Sequence, residues 1–220
     1  RDCGLSGRAP GKKRANLLLA MAASALGLPV RAPYTLEDMA ADTVGLLDAL
    51  NIAQAHIVGV SMGGMIAQII AARFPLRVLS LTSIMSTSGD RKASAMELRD
   101  LRKIFLRPRP PSDATRDQVV EHMASTYEII GSAEHLREVS YLRKMLSDSF
   151  DRGYYPAGFM RQTTAIVANG SRRALLKQIN APTLVIHGKR DILVPPGGGL
   201  DTAAHIRGAR MELIDDMGHD

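Results

Sequence analysis

The feature that most constrains this chain is a short apolar strand running through Gly59-Val60-Ser61-Met62-Gly63 directly into an apolar helix. Ala55-His56-Ile57-Val58 reads as the buried strand, and Met65-Ile66-Ala67-Gln68-Ile69-Ile70-Ala71-Ala72 as the helix. The helix stops at Phe74, because the residue before Pro75 is pushed out of the helical region. A serine at this junction turns the chain abruptly and projects its hydroxyl above the edge of the sheet. Both flanking glycines are expected to be required, since a Cβ at either position would clash where strand and helix cross.

The rest of the chain alternates in the βα rhythm of a parallel sheet. Thr35-Leu36-Glu37-Asp38 has the form of a capping box, and Leu36, Met39, Ala40, Val44, Leu47 and Leu50 fall on one face of the helix that follows. Further strands are predicted at 78–84, 183–187 and 211–214, and the apolar density of the first suits burial on both faces. Between about 90 and 170 the rhythm gives way to charged, helix-like segments at 94–106, 115–130, 132–149 and 156–168. Arg107-Pro108-Arg109-Pro110-Pro111 separates the first two. A helical insertion between two strands is expected to form a lid, with its aromatic and methionine side chains mostly in its own core. The expected division is a core in two parts, 1–89 and 171–220, around a lid at 90–170.

Composition excludes several classes. The 220 residues are 45% hydrophobic, enough for one sizeable core with an added subdomain. The net charge of +6 is scattered, and with 4% aromatic residues no basic–aromatic interleaving suggests a nucleic-acid partner. Cys3 is the only cysteine, so no internal disulfide can form and a reducing, cytoplasmic setting is the expectation. Lys12-Lys13-Arg14 followed by the apolar run 17–26 imitates a secretory leader, but the run is too short to span a bilayer. We read it as a helix within a domain, with no membrane partner. No His, Cys or carboxylate cluster has metal-ligand spacing, so no metal and no other cofactor is expected.

A lone serine is a weak nucleophile and requires a base and an orienting acid. Asp216-Met217-Gly218-His219 follows the last predicted strand, and His187-Gly188-Lys189-Arg190-Asp191 closes the one before it. Ser61, Asp191 and His219 are thus each expected just past a different strand, at the same edge of the sheet, in the order nucleophile, acid, base. Asp90 is the alternative acid. His56 and His187 read as strand-end hydrogen-bonding residues, and His122, His135 and His205 as solvated helix positions.

These residues resemble the α/β-hydrolase superfamily, near its lid-bearing esterase and peptidase-like members. The match is carried by Arg1-Asp2-Cys3-Gly4-Leu5-Ser6, by Gly59-Val60-Ser61-Met62-Gly63-Gly64, by Pro182–Gly188 leading to Asp191, and by Gly218-His219. The resemblance implies a mostly parallel, doubly wound sheet and hydrolysis through an acyl-enzyme, with the Met62 amide in the oxyanion hole. It also implies strands before Arg1, a Gly-rich loop with a second oxyanion donor, and a helix after His219. The 220 residues are therefore expected to be a piece of a longer protein, poorly folded and inactive alone. An aspartate nucleophile marks the epoxide hydrolases and haloalkane dehalogenases of this fold, which Ser61 disfavours. Cleavage of a small to medium apolar ester is the leading expectation. Amide or iminopeptide cleavage, C–C bond hydrolysis, acyl transfer and perhydrolysis remain open, as does a ligand receptor without turnover. Oligomeric state is not legible.

Overall fold

The computed structural model describes residues 1–10, 17–108, 110–111, 113–132 and 139–220. Lys12-Lys13-Arg14, Arg109 and His135 lie outside them. Helix α1 (Leu17–Ala25) takes up the apolar run, and α2 (Leu36–Ala49) opens with the anticipated capping box. The Thr35 hydroxyl accepts from Asp38 N–H at 3.0 Å, and the Asp38 carboxylate accepts from Thr35 N–H at 2.8 Å. The bond from Thr35 N–H, with one from the Thr35 hydroxyl to the same carboxylate oxygen at 3.0 Å, holds the Asp38 carboxyl below its ordinary value. Leu36, Met39, Ala40 and Val44 are buried, whereas Leu50 closes the helix as its C-cap and is exposed.

Four parallel strands follow, β1 (Ala55–Val60), β2 (Val78–Ile84), β3 (Thr183–Gly188) and β4 (Arg210–Ile214), and they lie side by side in chain order. Helix α3 (Met62–Arg73) joins β1 to β2, and α9 (Gly197–His205) joins β3 to β4. Strand side chains alternate between faces, so the pairings Ile57–Leu81–Thr183 and Gly59–Ser83–Val185 define one buried face. Against it lies α3, whose Ile69, Ile70 and Ala71 are fully buried with Leu81 and Val78. Gln68 is equally buried, and its amide is satisfied at both ends. It donates to Ser83 Oγ at 3.1 Å and accepts from Arg172 Nε at 3.3 Å. The Arg172 guanidinium is pushed down to about 10 by that burial, and still carries its charge at neutral pH.

The opposite face differs from expectation. Val58 and Val60 of β1 and Ile214 of β4 are exposed, and Ser80, Thr82 and Ile84 of β2 are half-buried. Burial on both faces of β2 is therefore realised on the α3 side only. Apolar density reports how much surface a strand can bury, not how many layers cover it.

Between β2 and β3 stand α4 (Leu98–Phe105), α5 (Arg116–Ile130), α6 (Val139–Gly153) and α7 (Pro156–Asn169), then the short α8 (Arg173–Leu176). Helices α5 and α6 form a small core of their own. Val120, Ala124 and Leu146 are buried there, with Met123, Tyr127, Leu142 and Phe150 packed around them. Phe105, Met145, Tyr154 and Phe159 are exposed instead. Helix α7 belongs with the main core through Ala165 and through a buried ion pair. Arg161 Nη1 lies 3.4 Å from the Asp2 carboxylate and donates to Ala9 C=O at 2.8 Å. Burial opposes the Asp2 charge, but the hydrogen bond from Ala9 N–H and the facing Arg161 guanidinium outweigh it and hold the carboxyl below its ordinary value. Removing one partner strands the other charge. Arg161→Met is expected to cost about 3–5 kcal/mol, read from urea midpoints. Among the described residues no helix is long and apolar enough to cross a membrane.

Candidate active site

All four strands point their carboxyl ends to one edge, and the expected site residues meet there. Ser61 sits between β1 and α3 with φ 53° and ψ −118°, a left-handed conformation that costs a non-glycine residue about 1–3 kcal/mol. The turn is held on both sides. Ser61 N–H donates to Ile84 C=O at 2.9 Å, while its own C=O accepts from Gly64 N–H at 3.0 Å and Met65 N–H at 3.3 Å. Met62 opens α3, so its N–H belongs to the first turn, where amides lack an intrahelical acceptor, at the positive end of the helix.

The glycines around Ser61 are not equivalent, which corrects the expectation that both flanking positions forbid a side chain. A Cβ on Gly59 would fall 2.2 Å from the Gly63 carbonyl oxygen, and one on Gly64 would fall 2.6 Å from Ser86 Cβ. A Cβ on Gly63 would meet nothing within 4 Å. The strand–helix crossing is thus closed by Gly59 and Gly64, while Gly63 contributes its carbonyl as the contact surface. Gly59→Ala is expected to lower stability by about 3 kcal/mol or more, since the obstacle is backbone. Gly63→Ala is expected to be neutral, or to gain up to about 1 kcal/mol as a helical glycine replaced by alanine. Paired denaturant titrations read both.

Asp191 and His219 are buried, at 3% and 8% exposure. One Asp191 oxygen accepts Leu193 N–H at 2.9 Å and Val194 N–H at 2.8 Å, which fixes the carboxylate on its own turn. The other lies 2.7 Å from His219 Nδ1, and His219 Nε2 lies 2.9 Å from Ser61 Oγ. With Asp191 ionised, Nδ1 carries the proton and Nε2 is free to accept the serine hydroxyl. Burial works against the Asp191 charge, yet hydrogen bonds from His187 and His219 with the pull of the His219 ring outweigh it. Its carboxyl is held below the ordinary carboxylate value.

His187 is wholly buried at the end of β3, as a strand-end hydrogen-bonding residue should be. Its part in the acid turn was not legible. Nε2 lies 2.7 Å from Val194 C=O and 3.4 Å from the Asp191 oxygen that faces His219. Its spacing of four residues from Asp191, across the strand end, is the signal that could have found it.

Asp90, the alternative acid, is not brought to His219. It pairs with Arg173 at 2.7 Å and caps its own turn through Lys92 and Ala93 N–H. His56 bonds Ser80 Oγ at 2.7 Å, and His205 bonds Asp201 C=O at 2.8 Å. His122 and His205 are half-buried rather than solvated. A cavity of about 230 Å³ lined by Thr35, Glu37 and Asn169 contains none of the three site residues. Among the described residues no group of three or more His, Cys, Asp or Glu could hold a metal ion.

Comparison with known proteins places this geometry. A family model for the alpha/beta hydrolase fold matches residues 1–220. A rhodomycin D methylesterase of Streptomyces peucetius is 25% identical over 203 residues, covering 85% of this chain and 68% of that protein. A 2-hydroxymuconate semialdehyde hydrolase of Pseudomonas sp. (strain CF600) is 30% identical over 194 residues, covering 87% of this chain and 64% of its own length. The crystal structure of an enol-lactonase from Burkholderia xenovorans LB400 superposes with a TM-score of 0.64 at 25% identity, covering 86% of this chain and 68% of that one. The chain thus spans about two thirds of the length of each of these relatives. With its parallel sheet, its strained serine turn and a family match over every residue, the chain belongs to the α/β-hydrolase fold family and is a hydrolase of that fold.

Proposed function

We propose that this protein is a serine hydrolase that cleaves small to medium apolar carboxylic esters through an acyl-enzyme, with Ser61 as nucleophile, His219 as base and Asp191 as orienting acid. The observation that carries the reading is the unbroken relay from Ser61 Oγ to His219 Nε2 at 2.9 Å and from His219 Nδ1 to Asp191 at 2.7 Å. His219 takes the hydroxyl proton as Ser61 attacks the ester carbonyl carbon. The oxyanion forms beside the Met62 N–H at the positive end of α3. His219 then protonates the departing alkoxide, and repeats the base step on a water that releases the acid. Asp191 stays ionised throughout and stabilises the imidazolium. No step calls for a metal or an organic cofactor.

Ester chemistry is favoured because the similar proteins include a methylesterase, a pimeloyl-[acyl-carrier protein] methyl ester esterase and an enol-lactonase. A second reading, hydrolysis of a C–C bond next to a carbonyl, is supported by the 30% identity to a 2-hydroxymuconate semialdehyde hydrolase. In the same proposal residues 1–89 and 171–220 form the catalytic core and 90–170 a lid that bounds the acyl pocket, with α7, the last long helix of the insertion, anchoring it on the main core through Ala165 and Arg161. The substrate partner is a small molecule, neither nucleic acid nor membrane.

A p-nitrophenyl ester chain-length series on the intact natural protein tests this. The expected result is a burst of p-nitrophenol equal to the enzyme concentration, then slower turnover that is fastest at short to medium acyl chains. Absence of turnover across the whole series contradicts the ester reading.

A further inference from the structure

The loop that carries His219 is held from behind by the end of α5. His219 N–H donates to Ile130 C=O at 2.7 Å, and Gly218 N–H donates to Ser132 Oγ at 2.8 Å. The Ser132 hydroxyl in turn donates to Asp220 Oδ1 at 2.5 Å, and Ser132 N–H donates to Asp220 Oδ2 at 3.0 Å. Ser132 is 1% exposed and its bond from Gly218 N–H is buried, whereas its two bonds to Asp220 are part-buried. The backbones touch as well. A Cβ on Gly218 would fall 2.5 Å from Gly131 C and 2.6 Å from Ile130 O. On the other side, a Cβ on Gly188 would fall 2.1 Å from Met217 O. The base loop is therefore clamped between the end of β3, which also leads to Asp191, and the end of an inserted helix.

Those two walls differ in kind. β3 is an inner strand of the sheet, whereas α5 packs on α6 around a core separate from the main one. Helices α5 and α6 thus carry a core of their own, and α5 meets the sheet edge at this point through its bonds and backbone contacts to residues 218–220.

We propose that Ser132, acting with Asp220, is a positioning residue for the reaction. It seats the His219 loop on the end of α5, so that the base aligns with Ser61 only while the inserted helices are docked. The proposal rests on the serine-hydrolase reading. Neither side chain touches substrate or the reacting atoms. They act through the backbone of Gly218 and His219, and a displacement near 1 Å at the base costs about 10²-fold in rate. Docking of the inserted helices and readiness of the base become one event.

The test uses the intact natural protein with p-nitrophenyl butyrate and a fluorophosphonate probe. Ser132→Ala is expected to lower kcat between about tenfold and 10²-fold with KM unchanged. Probe labelling of Ser61 is expected to slow by the same factor, and Ser132→Thr, which keeps the hydroxyl, to recover most of it. Asp220→Ala keeps the Ser132 hydroxyl on Gly218 N–H and removes only its anchor, so it is expected to lose kcat in the same direction, which keeps the test decisive if Ser132 variants fail to fold. Proton NMR adds a signature that packing loss alone does not move. The low-field resonance of the His219–Asp191 hydrogen bond is expected to broaden in both loss variants. Wild-type kcat in Asp220→Ala and Ser132→Ala, or a rise in KM with kcat intact, overturns the proposal. Failure of the wild type to label at Ser61 instead removes the serine-hydrolase reading beneath it.

Discussion

Ser61→Ala is expected to lower kcat on p-nitrophenyl esters by on the order of 10⁶-fold, the loss that follows when a serine nucleophile of a triad is removed. KM is expected to stay within a few-fold, because the hydroxyl contributes to bond formation rather than to ground-state binding. Stability is expected to stay level too. Alanine at φ 53° bears the same backbone strain as serine, and one lost contact to His219 at 2.9 Å is a small change at a partly open position. The residual rate is expected to remain about 10³–10⁴-fold above water, from binding and the oxyanion donors. A loss of only tenfold would mean that another group carries the acyl transfer.

Asp191→Asn is the second large effect, a fall in kcat of about 10⁴-fold with geometry retained. The amide oxygen can still accept Leu193 and Val194 N–H, so the turn keeps its shape. The amide nitrogen then faces His219 Nδ1 as a donor, and the ring responds by carrying its proton on Nε2. Nε2 no longer accepts from Ser61. The same substitution has a stability signature with a fixed sign. The folded Asp191 carboxyl lies below its ordinary value, so its contribution is full above the unfolded value of about 3.9. That contribution is lost as pH falls through the lower, folded value. Urea midpoints of wild type and variant are expected to differ by a constant amount above about pH 5 and to converge below pH 4. Divergence on acidification would contradict the sign.

The turn at Ser61 and the meeting of Ser61, Asp191 and His219 were legible because each piece is local. Ser61, Asp191 and His219 each sit within a few residues of a strand end, and parallel strands put those ends on one edge. The four-strand rhythm and the capping box at Thr35 followed from period and from short-range chemistry in the same way. What escaped was whatever depends on contacts across the chain. Gly64 outranks Gly63 chiefly because Ser86, from the loop after β2, packs on it. The pairing of Asp2 with Arg161 and of Ser132 with Asp220 joins residues with no shared motif or period. The open face bearing Val58 and Val60 is invisible in β1, whose apolar residues read simply as a buried strand.

The central claim is that Ser61 is a nucleophile activated by His219, and covalent labelling tests it most directly. A fluorophosphonate probe added to the intact natural protein is expected to form one adduct, mapped by peptide mass spectrometry to Ser61, and to form none in Ser61→Ala. Absence of an adduct in the wild type, or an adduct at another residue that persists in Ser61→Ala, would contradict the account.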